Sequence, residues 1–506
     1  MWNSMTFDEL LNLVSSSKAP DICVDSRLVE DGAVFVAVKG TIYDGHDFID
    51  QAAARGAKYI VANEGKAKIE IPDAGCEMIL VEDSAEAAAV LAQAGRGKPA
   101  SKLTNLAVTG TNGKTTVAYL VRSVIQTAGE KCGLIGTIVY DTGLDSSKAD
   151  LTTPDSLLIA DAQQKMVEAG AKYMVIEASS HALSQNRLTC IKFKAAAFTN
   201  IAGDHLDYHK TQKDYMAAKT RLFTSLSPDA TAVLNKQAPE AELIVKQTRA
   251  KILWYAIDEP ADLTAHIESI DITGTVFTLG YADQSSIVHH PSSVVKTSLP
   301  GRYNVSNHLA AAGLCLAAGF DLETIAAGLS ALKMVPGRLE KVDDEGVSST
   351  SERDAGHLGN PSVFIDYAHT DDALKNALSA LKPFCKGRLY VVFGCGGDRD
   401  RTKRPRMARV AEQLADFIIV TSDNPRTENP DDIISEIVTG FEYPDSQTIV
   451  VEPDRKKAIE FAIKTAARND MVLIAGKGHE DYQIIGTQKF DFSDKLIARQ
   501  CLRNRR

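Results

Sequence analysis

Short apolar runs alternate along most of this chain with longer stretches whose apolar residues recur at helical spacing, the pattern of parallel α/β proteins. The first such runs are 34–38 (VFVAV), 59–62 (YIVA) and 78–81 (MILV), separated by alanine-rich helical stretches. They predict a small α/β unit, closed by the polar segment GRGKPASK at 95–102, which reads as a linker. The next run leads into NLAVTGTNGKTT at 105–116, followed by a helical pattern over 115–128 that stops at Gly129. Beyond it lie YMVIE at 173–177, an apolar strand at the start of FTNIAGDHLDYH (198–209), and a helical stretch YMAAKTRLF at 215–223. A second boundary falls near LKMVPGRL at 332–339. After it, runs at 363–366, 389–393, 417–420 and 471–475, with helices between, predict a doubly wound sheet. The expected fold class is α/β in three domains: a small N-terminal α/β domain (1–98), a central P-loop-type parallel-sheet domain (99–335) and a C-terminal Rossmann-like doubly wound domain (336–506).

Length agrees with that division, since 506 residues fill about three domains of roughly 150 each, and 44% hydrophobic residues supply a core for every one. Net charge is −10 with acids and bases mixed, which argues against nucleic acid held on a basic face. No apolar run approaches the roughly 18 residues of a membrane span, and MWNSMTFDELLNL carries acids where a signal peptide carries bases, so no membrane partner and a cytoplasmic location are expected. The eight cysteines are dispersed without a C-x-x-C pair, which argues against both a zinc site and a disulfide framework and reads as reduced thiols, mostly in the core.

The chemistry concentrates at 110–116. Gly110, Thr111, Asn112, Gly113, Lys114, Thr115 and Thr116 sit between a strand and a helix, where glycines let backbone N–H groups close around an anion at the positive helix end. Lys114 would face the outer phosphates of a nucleotide and the Thr115 hydroxyl its Mg²⁺. The loop is a shortened variant, because position 108, where a longer loop has glycine, is Val108. Glu177 ends an apolar strand, placed either to hold a metal, directly or through water, or to cap the helix after it. Asp204, His205, Asp207 and His209 cluster within six residues, and His205, expected just after a strand beside the Glu177 strand, is a metal-ligand candidate. Lys219, among small and apolar neighbours, reads on its own as a snorkelling surface lysine. In the last third each strand ends in polar or glycine-rich residues: Asp366 with His369, GCGGDR at 394–399, SDNPR at 422–426 and GKGHE at 476–480, the rim of a pocket. A dinucleotide fingerprint is rejected, because a full G-x-G-x-x-G needs glycine where this chain has Arg399.

TGTNGKTT, the Thr152-Thr153-Pro154 turn, EASSHAL (177–183), FTNIAGDHLDYH, PGRYNVSN (300–307), GRLE (337–340), DYAHT (366–370) and the four strand ends together resemble, in order, the Mur ligases of bacterial cell-wall synthesis, and among them the MurE type. The resemblance implies ATP- and Mg²⁺-dependent amide synthesis by a monomer that joins meso-2,6-diaminopimelate to UDP-N-acetylmuramoyl-L-alanyl-D-glutamate. By the same resemblance the loop, Asn304, Arg338 and Asp366 hold ATP. Thr115, Glu177 and His205 resemble Mg²⁺ ligands, and Lys219 matches a lysine carried as N6-carboxylysine. Ser26, Thr41, Ile42 and Tyr43 fall where the uridine end binds. Thr152, Thr153, Ser179, Gln185 and Arg187 fall where the muramoyl peptide binds. Arg399, Asp423, Asn424, Pro425, Arg426, Gly476 and Glu480 match the diaminopimelate contacts. The DNPR at 423–426 resembles diaminopimelate-adding members, where a guanidinium fork can take the distal carboxylate that lysine lacks.

The chain departs from the family twice: a long polar stretch at 343–361, expected to be a surface loop, and Asp371 after DYAHT in place of an expected proline, which is expected to loosen that turn. A lysine-adding MurE, a folylpolyglutamate synthase and a nucleotide-dependent switch are the alternatives. The N-terminal domain and DNPR speak against the second, and the matches at Thr152, Gln185, Arg187 and Arg426 against the third.

Overall fold

The computed structural model describes residues 5–16, 19–41, 43–65, 75–282, 292–342 and 360–505. Ile42 and residues 343–359 of the polar stretch lie outside the described residues. Three main sheets follow one another along the chain. The first is wholly parallel, with strands Ile22–Cys23, Val34–Val36, Tyr59–Asn63 and Glu77–Val81 side by side in that order.

The central sheet has eleven strands, and the phosphate-loop strand Thr104–Thr109 lies in its middle. Parallel neighbours flank it, Tyr173–Glu177 on one side and Phe193–Phe198 on the other. Strand alternation sorts the side chains: Leu106 and Val108 face a core with helices Lys114–Thr127 and Arg302–Ala317, while Ala107 faces another with Met166 and Phe223. The helix after the loop begins one residue earlier than expected, because Gly113, at φ +90°, makes the turn that starts it.

In the third sheet the parallel order is Ser362–Asp366, Met471–Ala475, Leu389–Phe393, Phe417–Val420, Ile449–Val451, with Glu340–Lys341 antiparallel on the edge. Val391 and Phe393 pack into one face and Tyr390 and Val392 into the other, as a doubly wound sheet requires.

Several expectations are corrected. The strand assigned to the start of 198–209 instead ends at Phe198, and its core is Ala195, Ala196 and Ala197, small residues without β-propensity that are buried between neighbouring strands. It neighbours the phosphate-loop strand, not the Glu177 strand, so that strand separates the two. The 95–102 segment is no open linker: Pro99 and Ala100 are buried, and Ala100 exchanges hydrogen bonds with the side chains of Gln93 (3.1 Å) and Asn105 (2.9 Å). Asp371 does not loosen its turn. It is the first residue of helix Asp371–Leu381, where an acid suits the helix dipole, and it pairs with Arg406 at 3.1 Å. The cysteines are free thiols, but only Cys132, Cys315 and Cys395 are buried and Cys190 is exposed.

One buried ion pair holds the ends of the third sheet in place. Arg455 and Asp494, both without solvent exposure, meet through two bonds of 2.8 and 2.7 Å, and Arg455 also donates to the carbonyls of Ala475 (2.9 Å) and Ser422 (3.3 Å). Arg455→Met strands a carboxylate in the interior and should destabilise this domain by about 3–5 kcal/mol. The double variant Arg455→Met/Asp494→Leu should recover most of that loss, as read by urea denaturation.

Candidate active site

The loop after the central strand is shaped by close approach. Gly110 has φ +147°, and a Cβ there would lie 1.9 Å from Thr199 Oγ1; one at Gly113 would lie 2.2 Å from Asn307 Oδ1. The N–H groups of Thr111 and Asn112 are held by Asn200 at 3.0 Å each, so the amides left for an anion are those at the start of the helix. Lys114 Nζ folds back onto the carbonyls of Gly110 and Thr111, both at 2.9 Å.

Lys219 Nζ donates to the same Gly110 carbonyl at 2.9 Å. It is 1% exposed, so the surface reading of this lysine fails. Helix Gln212–Thr224 turns Lys219 inward with Tyr215 and Leu222, its amine 4.4 Å from the Tyr215 ring centre. Burial, with the charge of Lys114 beside it, pushes this amine well below the usual lysine range.

Glu177 is fully buried and accepts from Thr115 Oγ1 (3.0 Å), Thr137 N (2.8 Å) and Thr137 Oγ1 (2.9 Å). It does not cap the next helix, because Ser179 does so. Gly136 makes room for it: a Cβ there would stand 2.3 Å from Glu177 Oε1. His205, at φ +56°, turns its ring to Asp204 (3.4 Å), and Asp204 also faces His369 at 3.8 Å. Burial keeps His205 neutral. Burial alone would raise Asp204, but the groups facing it, His205 foremost, hold it below the usual carboxylate range. Among the described residues no three His, Cys, Asp or Glu side chains form a ready metal cage. The donors present, a hydroxyl, a carboxylate and an imidazole, suit a hard cation that keeps several waters and takes its other oxygens from phosphates.

A cavity of about 180 Å³ opens over the loop, walled on the far side by Asn304, Arg338, Asp366 and His369. Arg338 stacks on Tyr367 and reaches Thr115 Oγ1 at 3.0 Å, and Asn112 bonds Asp372 at 2.8 Å, so the second lobe touches the loop directly. Asp366 accepts from Leu339 N at 2.6 Å, and burial raises its carboxyl to about 6. Asn307, Thr137, Tyr367 and Asp372 were not singled out from sequence. Asn307 sits in the quoted PGRYNVSN run, and Tyr367 in DYAHT.

The residues expected on the muramoyl-peptide side gather beside Glu177. Thr152 Oγ1 accepts from Thr137 (3.2 Å), and Arg187 binds Gln185 Oε1 (2.6 Å) and the Thr153 carbonyl (2.7 Å). The buried Thr153 hydroxyl donates to Glu177 O at 2.6 Å and accepts from Ser179 N at 3.0 Å, so it positions Ser179 and is not itself open to a ligand. In the N-terminal domain Thr41 and Tyr43 are exposed, whereas the Ser26 hydroxyl is buried on Gln51 (2.7 Å).

A second cavity, also about 180 Å³, is lined by Arg399, Asp423, Asn424, Arg426, Gly476 and Glu480; Pro425, expected with them, is buried and does not line it. Arg426 is held at φ +51°, with its backbone bonded to Ile484 and Gly486 and its guanidinium to Gly397 O at 2.8 Å. Asn424 is fixed by Glu480 (2.9 Å) and by Lys477 (3.0 Å), a fully buried lysine within GKGHE that sequence reasoning passed over. Asp204, His205, Tyr367 and His369 line both cavities, so the two share a wall.

A cradle for phosphates and a charged pocket sized for an amino acid, meeting at one acid–histidine pair, belong to enzymes that activate one substrate with a nucleotide and pass it to another. Models of the Mur ligase family catalytic domain, the Mur ligase middle domain and the Mur ligase glutamate ligase domain match residues 21–96, 108–315 and 354–478. The chain belongs to the Mur ligase family. It is 43% identical over 498 residues to the UDP-N-acetylmuramoyl-L-alanyl-D-glutamate–2,6-diaminopimelate ligase of Geobacillus thermodenitrificans (strain NG80-2), covering 96% of each chain. A relative of the same name from Gloeobacter violaceus (strain ATCC 29082 / PCC 7421) is also 43% identical, over 496 residues. A solved structure of a UDP-N-acetylmuramoyl-L-alanyl-D-glutamate–2,6-diaminopimelate ligase, 31% identical, superposes with a TM-score of 0.62 over 99% of both chains. Folylpolyglutamate synthase from Mycobacterium tuberculosis shares the fold at 20% identity and TM-score 0.59, but spans 76% of this chain.

Asp366 gives a pH test. Its folded-state value lies above the ordinary 3.8, so a stability penalty develops as pH rises from about 4 and is complete above about 6. Asp366→Asn should therefore melt higher than the wild type at pH 7, with the gap closing near pH 4, as followed by thermal denaturation across pH.

Proposed function

We propose that this chain joins meso-2,6-diaminopimelate to the D-glutamate of UDP-N-acetylmuramoyl-L-alanyl-D-glutamate, with ATP, in peptidoglycan precursor synthesis. The observation that carries the reading is the shared wall: the phosphate cavity and the arginine-lined pocket open onto the same Asp204, His205 and His369. In this reading residues 1–98 take the UDP end, 99–335 the ATP and 336–506 the amino acid, and the protein acts as a cytoplasmic monomer. Among the described residues no helix is long and apolar enough to cross a membrane.

Lys114 is already within the loop and needs only to turn from two carbonyls to the outer phosphates, which the helix amides also receive. Arg338 brings a second positive charge from the other lobe. A magnesium ion, when bound, neutralises phosphate charge, and Thr115, Glu177 and His205 are the donors that would hold it. Lys219, buried beside Lys114, is most easily kept as a neutral amine, the form that adds CO₂. The N–C bond forms, the nitrogen loses a proton, and the product is an anionic carbamate suited to the cation. Held against this charge, the substrate's glutamate carboxylate attacks the γ-phosphorus and ADP leaves. The neutral amine of the acceptor then attacks the acyl phosphate carbon, loses its proton and expels phosphate. The protein's part is positioning and charge neutralisation, which is what phosphoryl transfer asks of it.

Arg426 and Glu480 form a cation–anion pair of recognition groups suited to the distal carboxylate and ammonium of diaminopimelate. L-Lysine offers no carboxylate to Arg426, and a half-buried guanidinium left without its anion costs on the order of a few kcal/mol.

With UDP-muramoyl-dipeptide, ATP and Mg²⁺ present, phosphate release should depend on the acceptor and be supported by meso-diaminopimelate far better than by L-lysine or L-ornithine, with the tripeptide product seen by mass. Release independent of acceptor would refute the reading. In the same assay Arg426→Ala should raise the KM for diaminopimelate roughly a hundredfold and leave that for ATP nearly unchanged. Equal effects on both would remove its assigned role.

A further inference from the structure

Lys403 is a lysine the reaction scheme above does not use. It opens helix Lys403–Leu414, directly after the GGDR loop, and only 4% of it is exposed. The next residue explains why it is held there: Arg404, fully buried, bonds Glu428 at 2.8 and 2.9 Å and Glu436 at 2.8 Å, pinning the helix start to the segment that carries Arg426.

Among the described residues the Lys403 ammonium has neither a hydrogen-bond acceptor nor an ion-pair partner. The carboxylates lining the same cavity bond elsewhere, Asp400 Oδ1 to Thr402 (2.8 Å), Asp423 to Asn424 N (2.6 Å), Glu480 to Asn424 and Lys477, and Asp204 to His205, while the buried Asp400 Oδ2 has no partner and makes no ion pair with Lys403. An ammonium without a partner, at the positive end of its own helix, leaves its hydrogen-bonding capacity unspent on the pocket wall. Such a group is kept where an anion arrives to meet it.

Its place in the pocket says which anion. Lys403 lines the same cavity as Arg399, Arg426 and Glu480, together with Asp204 and His369 of the wall shared with the phosphate cavity. With Arg426 and Glu480 assigned to the distal carboxylate and ammonium, the anion left for Lys403 is the carboxylate beside the attacking amine. We propose that Lys403 is a further positioning residue for the acceptor amino acid, its ammonium holding the carboxylate beside the attacking amine. The inference rests on the function proposed above and adds to it a second, proximal carboxylate contact. Arg426 reads the carboxylate that distinguishes diaminopimelate from lysine; Lys403 reads the one the two share and aims the neighbouring amine at the shared wall.

The test compares Lys403→Met and Lys403→Arg with the wild type. Lys403→Met should raise the KM for meso-diaminopimelate roughly tenfold to a hundredfold, the range for a lost hydrogen bond to a charged group, while those for ATP and UDP-muramoyl-dipeptide stay within about twofold. Lys403→Arg should recover part of the loss. L-Lysine, which keeps only the proximal carboxylate, should become a weaker inhibitor of diaminopimelate turnover in Lys403→Met and not in Arg426→Ala. Because the substitution removes an unpaired charge, the melting temperature of Lys403→Met should be unchanged or higher. Diaminopimelate should raise it less than in the wild type. An unchanged diaminopimelate KM, a common change in all three KM values, or a fall in melting temperature that accounts for the lost activity would each overturn the proposal. Failure of the wild type to use diaminopimelate would instead be a failure of the functional reading.

Discussion

Two amines, from the half-buried Lys114 and the buried Lys219, donate to one carbonyl oxygen, that of Gly110, at 2.9 Å each. Two full positive charges so close, one of them buried, repel each other with little solvent to screen them. Much of the central domain can be understood as a response to this constraint. Gly110 must lack a side chain so that its carbonyl can lie where both amines converge. In the proposed reaction Lys114 is needed as a cation for phosphate. Lys219 is then the group that gives up its charge, and the proposed carbamate turns a repulsive neighbour into an attractive one. Glu177, satisfied meanwhile by two threonine hydroxyls and an amide, completes an oxygen-rich side facing the same loop.

The second lobe is coupled to this centre by direct contact. Arg338 reaches Thr115, Asn112 reaches Asp372, and on the outer edge Lys148 meets Asp481. Each pair joins residues hundreds of positions apart, so the glycine loop and the arginine-lined pocket are set against each other by direct side-chain contacts. The buried Arg455–Asp494 pair and the Arg404–Glu428–Glu436 cluster stiffen the far side of that pocket. Both lie under the loops that carry Asn424, Arg426 and Gly476. Recognition groups with charged heads need such backing, since a flexible clamp loses in ordering what it gains in contact.

Much of this was legible in the chain because the chemistry is local. The phosphate loop announces itself by glycines and a lysine between a strand and a helix, and the pocket rim by polar residues at strand ends, where parallel sheets place ligands. The Lys219 environment was not legible from the residues alone: whether a helical lysine points to water or inward depends on which face meets the loop, a long-range fact. The alanine strand at 193–198 hid for a related reason, since alanine reads as helical unless its neighbours bury both faces. Thr137 and Lys403 carry no motif, and only packing shows that one satisfies Glu177 while the other is left without a partner. The expected linker at 95–102 misled through composition, its Pro and Gly serving a packed turn.

Carbon-13 NMR of the protein equilibrated with labelled bicarbonate probes the charge constraint at its source. The account predicts one protein-bound carbamate resonance, absent from Lys219→Gln. Fully active protein showing no such resonance, with Lys219 titrating as an ordinary ammonium, would contradict it.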